Sequence, residues 1–183
     1  MNMFCFQCQE TARGTGCTVK GVCGKEPQTA AYMDLLLYAV RGIAIVNRTL
    51  REKGTAHNEI DHFVLDALFC TITNANFDDE AIIVRIKKAF EIKNILVGTA
   101  KKRNIALPDM PEVAYFVSEE NYLAEAAEVG VLSEPNEDLR SLKQMVIYGV
   151  KGAAAYTEHA LNLGFEDHDI YAMIENALAE ISR

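Results

Sequence analysis

The stretch Phe4-Cys5-Phe6-Gln7-Cys8-Gln9-Glu10-Thr11-Ala12-Arg13-Gly14-Thr15-Gly16-Cys17-Thr18-Val19-Lys20-Gly21-Val22-Cys23-Gly24 decides how the rest of the chain is read, because it holds four of the five cysteines. Their spacing is Cys-x2-Cys-x8-Cys-x5-Cys, with Gly14, Gly16, Gly21 and Gly24 among them. No apolar periodicity of helix length runs through it, so a loop is expected. A loop without a core needs its sulfurs tied together. Disulfides fit poorly: no secretory signal precedes Cys5, and a reducing compartment keeps thiols free. Four thiolates can instead close the coordination of one zinc ion or of one cubane iron–sulfur cluster. Cys8, Cys17 and Cys23 match the start of a CCCH zinc finger, but Pro27 stands where that motif needs histidine. A zinc ribbon would require a second tight pair, and Cys17 and Cys23 are too far apart for one. Glycines let bare backbone approach sulfur and aim N–H groups at it, which favours iron–sulfur. Zinc stays open as the alternative.

The 183 residues carry a formal net charge of −8 and are 50% apolar, which suits a domain with a real core. An acidic chain is a poor phosphate binder, so no nucleic-acid partner is expected. No apolar stretch approaches the roughly 20 residues that span a bilayer, so no membrane partner is expected either. A cytoplasmic protein is the resulting expectation.

Helical patterning takes over near Thr29. Residues 29–53 read as one long helix whose stripe of Leu35, Leu36, Ala39, Val40, Ile43, Val46 and Leu50 is broad enough to be covered on more than one side. Gly54 is placed to stop it. A second helix fits 58–74, with a turn at Asn74 and Asn76. The acidic run Asp78-Asp79-Glu80 suits the first turn of a third helix reaching to about 102. Short connections make these three an antiparallel bundle. Residues 104–111, with Pro108 and Pro111, read as a linker, and Val113–Val117 is the one strand candidate. A short helix is expected over 118–129, ending at Gly130. Ser133-Glu134-Pro135 then opens a long helix to about Leu163, with Pro135 in its first turn. Gly164 ends that helix, and Asp167 caps the last one.

Sliding the chain by 110 positions reveals an internal repeat. Tyr38-Ala39-Val40-Arg41-Gly42 falls on Tyr148-Gly149-Val150-Lys151-Gly152, Gly54 on Gly164, Ile60 on Ile170, and Ala67-Leu68 on Ala177-Leu178. A glycine inside a helix costs about 1 kcal/mol relative to alanine, so Gly42 and Gly152 are read as sites of close helix crossing. The third helix of the second unit would recur past Arg183, so a further segment is expected to complete that unit. The expected fold is all-α: a cysteine loop over 1–27, a first three-helix bundle over 28–103, a linker over 104–117, and an incomplete second bundle over 118–183.

The residues around the cysteines resemble the start of the hybrid cluster proteins, also called prismane proteins. The resemblance rests on Phe4–Ala12 and Gly16–Lys25, continues through Asp34–Ile45, and returns at Tyr148–His159. It implies a [4Fe-4S] cluster held by Cys5, Cys8, Cys17 and Cys23; a sister class with wider spacing and a [2Fe-2S] cluster does not fit. It further implies hydroxylamine reduction to ammonia and water, with nitric oxide as a related substrate, in a longer protein whose later α/β domains hold a second, hybrid cluster. No cysteine follows Cys70, so the ligands of that second cluster cannot be placed on this sequence, and this chain is expected to relay electrons from an external donor protein rather than catalyse. The rival readings are a zinc-stabilised interaction module and a stand-alone helical redox adaptor. Lys20, Lys25 and Arg13 flank the cysteines, either moderating a cluster's charge or lying solvated. Cys70 reads as a small buried apolar residue. His57, His62, His159 and His168 show no metal-binding spacing.

Overall fold

The computed structural model describes residues 3–55, 57–72 and 75–182. Among these the chain forms helices and no strand: α1 (Pro27–Arg51), α2 (Asn58–Cys70), α3 (Asp79–Lys102), α4 (Pro111–Ala114), α5 (Tyr122–Val129), α6 (Glu137–Asn162) and α7 (His168–Ile181). The all-α class is as expected. The turn expected at Asn74 lies outside the described residues.

The broad stripe of α1 makes it the central helix. Leu35, Leu36, Ala39, Val40, Ile43, Val46 and Leu50 are fully buried, with α3, α5 and α7 packed around them. Contrary to the sequence expectation, α1 is long and apolar enough to cross a membrane by length and composition. Asp34 and Arg41 interrupt its apolar run, which is why no unbroken stretch stood out. Yet 72% of that window is buried inside the fold, as befits a core helix. Gly54, at φ 77°, lets the chain turn away after α1.

Three helix starts follow from polar caps. The side chains of Asp78, Asn136 and Asp167 accept from Ala81 N, Leu139 N and Asp169 N respectively. Pro135 therefore lies ahead of the Asn136 cap, not inside the first turn of α6. The strand candidate also fails: Val113 is buried in the helical turn α4 and Tyr115 leaves it extended. Lys93 fixes that segment. Its buried ammonium donates to Glu112 O at 2.8 Å and to Tyr115 O, with the Phe116 ring 4.5 Å from it.

Helices of the two halves pack on each other. α1 lies against α7 and α2 against α6, while α2 touches α1 and α3 far less. Because α6 and α7 repeat α1 and α2, these cross-contacts are equivalent under the 110-residue offset. One apolar cluster runs from Tyr32 to Ile181. Gly42 meets the close approach expected of it, since a Cβ there would lie 2.4 Å from Glu112 O. Gly152 does not: a Cβ there would meet nothing within 4 Å.

Candidate metal centre

The cysteine loop is held by main-chain bonds where it has no core. Cys5 and Cys17 face each other as an antiparallel bridge, with Cys5 N donating to Cys17 O at 3.1 Å and Cys17 N to Cys5 O at 2.8 Å. Thr11 N closes a turn onto Cys8 O at 3.2 Å. Around Cys23, Gly21 N donates to Lys25 O and Gly24 N to Gly21 O, both at 2.8 Å. Cys17 is buried with Met3 against Ala30 of α1. Cys5 and Cys8 are half-buried, Cys23 is exposed, and all are free thiols. The fold thus brings Cys5 opposite Cys17 and keeps Cys8 and Cys23 on the same loop. Among the described residues it gathers no three Cys, His, Asp or Glu side chains closely enough to hold a metal ion.

Several features of the loop nonetheless fit a thiolate-bound group. A Cβ on Gly21 would lie 3.1 Å from Cys23 Sγ, so bare backbone reaches that sulfur. Thr11 Oγ1 is buried without a hydrogen-bond partner, a donor left over in the loop. Of the three flanking cations, Lys25 is buried, while Arg13 and Lys20 are exposed and Lys20 pairs with Glu26 at the surface. A second buried cation arrives from α6. Lys151, 3% exposed, donates to Thr71 O at 3.0 Å and to Gln7 Oε1 at 3.3 Å, between Cys5 and Cys8.

Asp34 completes this group under the loop, in a small cavity shared with Cys5 and Lys25. Burial pushes the Asp34 carboxyl up to about 6, against the Val131 N–H that it accepts and the charges of Lys151 and Lys25. Burial pulls Lys151 down to about 8, opposed by Asp34 and aided by Lys25. Asp34 and Lys151 each favour the charged form of the other. A further cavity of about 350 Å³ separates Phe6, Gln7 and Cys8 from Met145 and Tyr148 of α6.

Cys70 is buried, and burial pushes its thiol up to about 11. His62 sits 3.2 Å from Glu166, and His159 packs edge-on against Phe69. Lys151 and Asp34 were not singled out from the sequence as site residues. The one available signal was the repeat, which places Lys151 on Arg41.

A helical fold fronted by a glycine-rich four-cysteine loop over buried charge defines the class: a helical cysteine-loop domain. The chain belongs to the Prismane/CO dehydrogenase family, which matches residues 3–183. Membership implies iron–sulfur chemistry. Its relatives include a hydroxylamine reductase of Bacteroides thetaiotaomicron, 54% identical over 183 residues that make up 100% of this chain and 33% of that protein. One of Desulfitobacterium hafniense is 46% identical over 98% of this chain and 33% of its own length. One of Clostridium novyi is 46% identical over 97% of this chain, again 33% of the relative. The chain spans about a third of the length of the curated relatives it matches.

Proposed function

We propose that this chain is the electron-relay domain of a hydroxylamine reductase, with a [4Fe-4S] cluster held by Cys5, Cys8, Cys17 and Cys23. The observation that carries the reading is the loop itself: four free thiols on one glycine-rich segment, docked over the buried cations Lys25 and Lys151. Bound there, a cubane cluster supplies a one-electron store. The chain's part is to bind and screen it. The thiolates are the ligands, Gly21 lets backbone reach Cys23, and Met3 and Ala30 shield the Cys17 side from water. The exposure of Cys23 supports approach of a donor protein from that side. Zinc in place of iron is the rival outcome.

Reduction of hydroxylamine to ammonia and water takes two electrons and two protons, and nitric oxide is a related acceptor. In this reading the chemistry belongs to the remaining length of a longer protein, and this chain delivers the electrons from an external donor protein. The exposed face of α6 is the surface those remaining domains cover. Leu142, Met145, Val146 and Tyr156 are exposed there, whereas their repeat equivalents Tyr32, Leu35, Leu36 and Val46 are buried in α1. The direct test is donor-driven turnover in the longer protein. Cys17→Ser should slow delivery from a protein donor sharply and spare some turnover with a small diffusible reductant. Undiminished donor-driven turnover, with the loop cluster demonstrably gone, would contradict the relay role.

A further inference from the structure

The part-buried Arg41 and the buried Lys151, at repeat-equivalent positions, are treated differently by the fold. Arg41, on α1, forms an ion pair with Glu112 and donates to Ser182 Oγ at 2.9 Å. Its charge is answered on the spot. Lys151, on α6, is at least as buried, yet both groups it donates to are neutral: Thr71 O and Gln7 Oε1. Among the described residues it makes no ion pair. Burying an ammonium costs several kcal/mol unless an anion answers it. A neutral donor would satisfy Thr71 O at lower cost. Asp34 offsets part of the charge, but Lys25 adds to it, and on the loop side Lys151 reaches Gln7, between Cys5 and Cys8.

The geometry points to Lys151 as a positioning residue for the loop cluster: its buried ammonium holds the thiolate-bound group by charge and stabilises the reduced, more negative state, while Asp34 opposes it. This rests on the cluster reading above. The physical basis is Coulomb interaction where water does not screen it. Fixed charge around a cluster is one of the protein's levers on its potential. Gln7 supplies the mechanical link, since it lies on the loop between Cys5 and Cys8 and accepts from Lys151.

The test is a redox titration at pH 7, followed by electron paramagnetic resonance, of the anaerobically reconstituted 183-residue chain. Wild type is compared with Lys151→Gln, Lys151→Arg and Asp34→Asn. Iron and sulfide are counted in each, and the melting temperature of each metal-free form is recorded. The expected result is a midpoint potential shifted negative in Lys151→Gln, near wild type in Lys151→Arg, and shifted positive in Asp34→Asn. A loaded Lys151→Gln at the wild-type potential, or shifts of the same sign in Lys151→Gln and Asp34→Asn, would overturn the inference. If Lys151→Gln takes up no iron while Lys151→Arg does, the requirement for charge stands. If neither loads and both metal-free forms melt lower by the same amount, Lys151 is structural and the inference fails. Wild type that takes up no iron would sink the underlying cluster reading, and this inference with it.

Discussion

Cys17 is the cysteine most firmly built into the fold, buried against α1 and bonded through its main chain to Cys5 in both directions. Replacing it with serine removes the thiolate without changing size, so Cys17→Ser should lose most of its bound iron while the helical signal in circular dichroism persists. Cys70→Ser should keep the full iron content, because burial keeps its thiol protonated at neutral pH. Iron assays on the two variants check both statements. At this scale the sequence was legible where chemistry is local. That the cysteine segment is a loop, and that Cys70 is packing, could be read from spacing and neighbours. Which flanking cation is buried could not, since Arg13, Lys20 and Lys25 look alike in a glycine-rich segment. Lys151 was beyond reach for another reason: it meets Gln7 across 144 positions of chain.

Helix existence was legible because the apolar stripes are local, and ends were legible at Gly54 and Asp167, which act within a turn. Elsewhere they were not, since Asp78 caps α3 from outside its first turn and α2 ends at Cys70 rather than 74. Glycines inside helices are a contact property and were half legible. Gly42→Ala puts a methyl 2.4 Å from Glu112 O and 3.0 Å from Lys93 Cδ. That overpacking costs about 1–3 kcal/mol, and outweighs the gain of about 1 kcal/mol from helix propensity. Gly152→Ala meets nothing and should stabilise the chain by up to about 1 kcal/mol. Denaturant unfolding of both variants measures the contrast, and equal effects would contradict it.

The junction of α1, α2 and α7 carries its own titration. Arg51 pairs with both Asp61 at 2.6 Å and Glu175 at 3.0 Å, so two buried carboxylates share one guanidinium. Burial pushes Glu175 up to about 7, aided by Asp61 and opposed by Asn47 and Arg51. A carboxyl whose folded pKa lies above its unfolded value is stabilising when protonated. Its contribution is full below about pH 4.5 and fades as pH rises through about 7. The fall in stability between pH 5 and pH 8 should therefore be shallower in Glu175→Gln than in wild type. Unfolding midpoints across that range check it, and identical slopes would contradict it.

At the scale of the molecule, the repeat was visible in the sequence, but the way its halves interlock was not. Periodicity shows that a face is apolar, not which helix covers it, and the packing of α2 against α6 depends on contacts far apart in the chain. The same repeat exposes what this chain leaves uncovered. Residues of α1 that α3, α5 and α7 bury have exposed counterparts on α6, next to the Cys8 cavity. The isolated chain should therefore associate with rising concentration through that face, and charged substitutions at Leu142 and Met145 should suppress association without lowering the melting temperature. Analytical ultracentrifugation decides this, and a wild type that stays monomeric at high concentration would contradict it. Hydroxylamine turnover by this chain alone should be negligible, because four thiolates leave a cubane cluster no open position for substrate.

In the proposed reading, the loop of Cys5, Cys8, Cys17 and Cys23 carries a cubane iron–sulfur cluster. Quantifying iron, zinc and acid-labile sulfide in anaerobically purified chain tests it most directly. The account predicts about four iron and about four sulfide per chain, with zinc near zero. One zinc per chain and no iron or sulfide, under iron-replete expression, would contradict it.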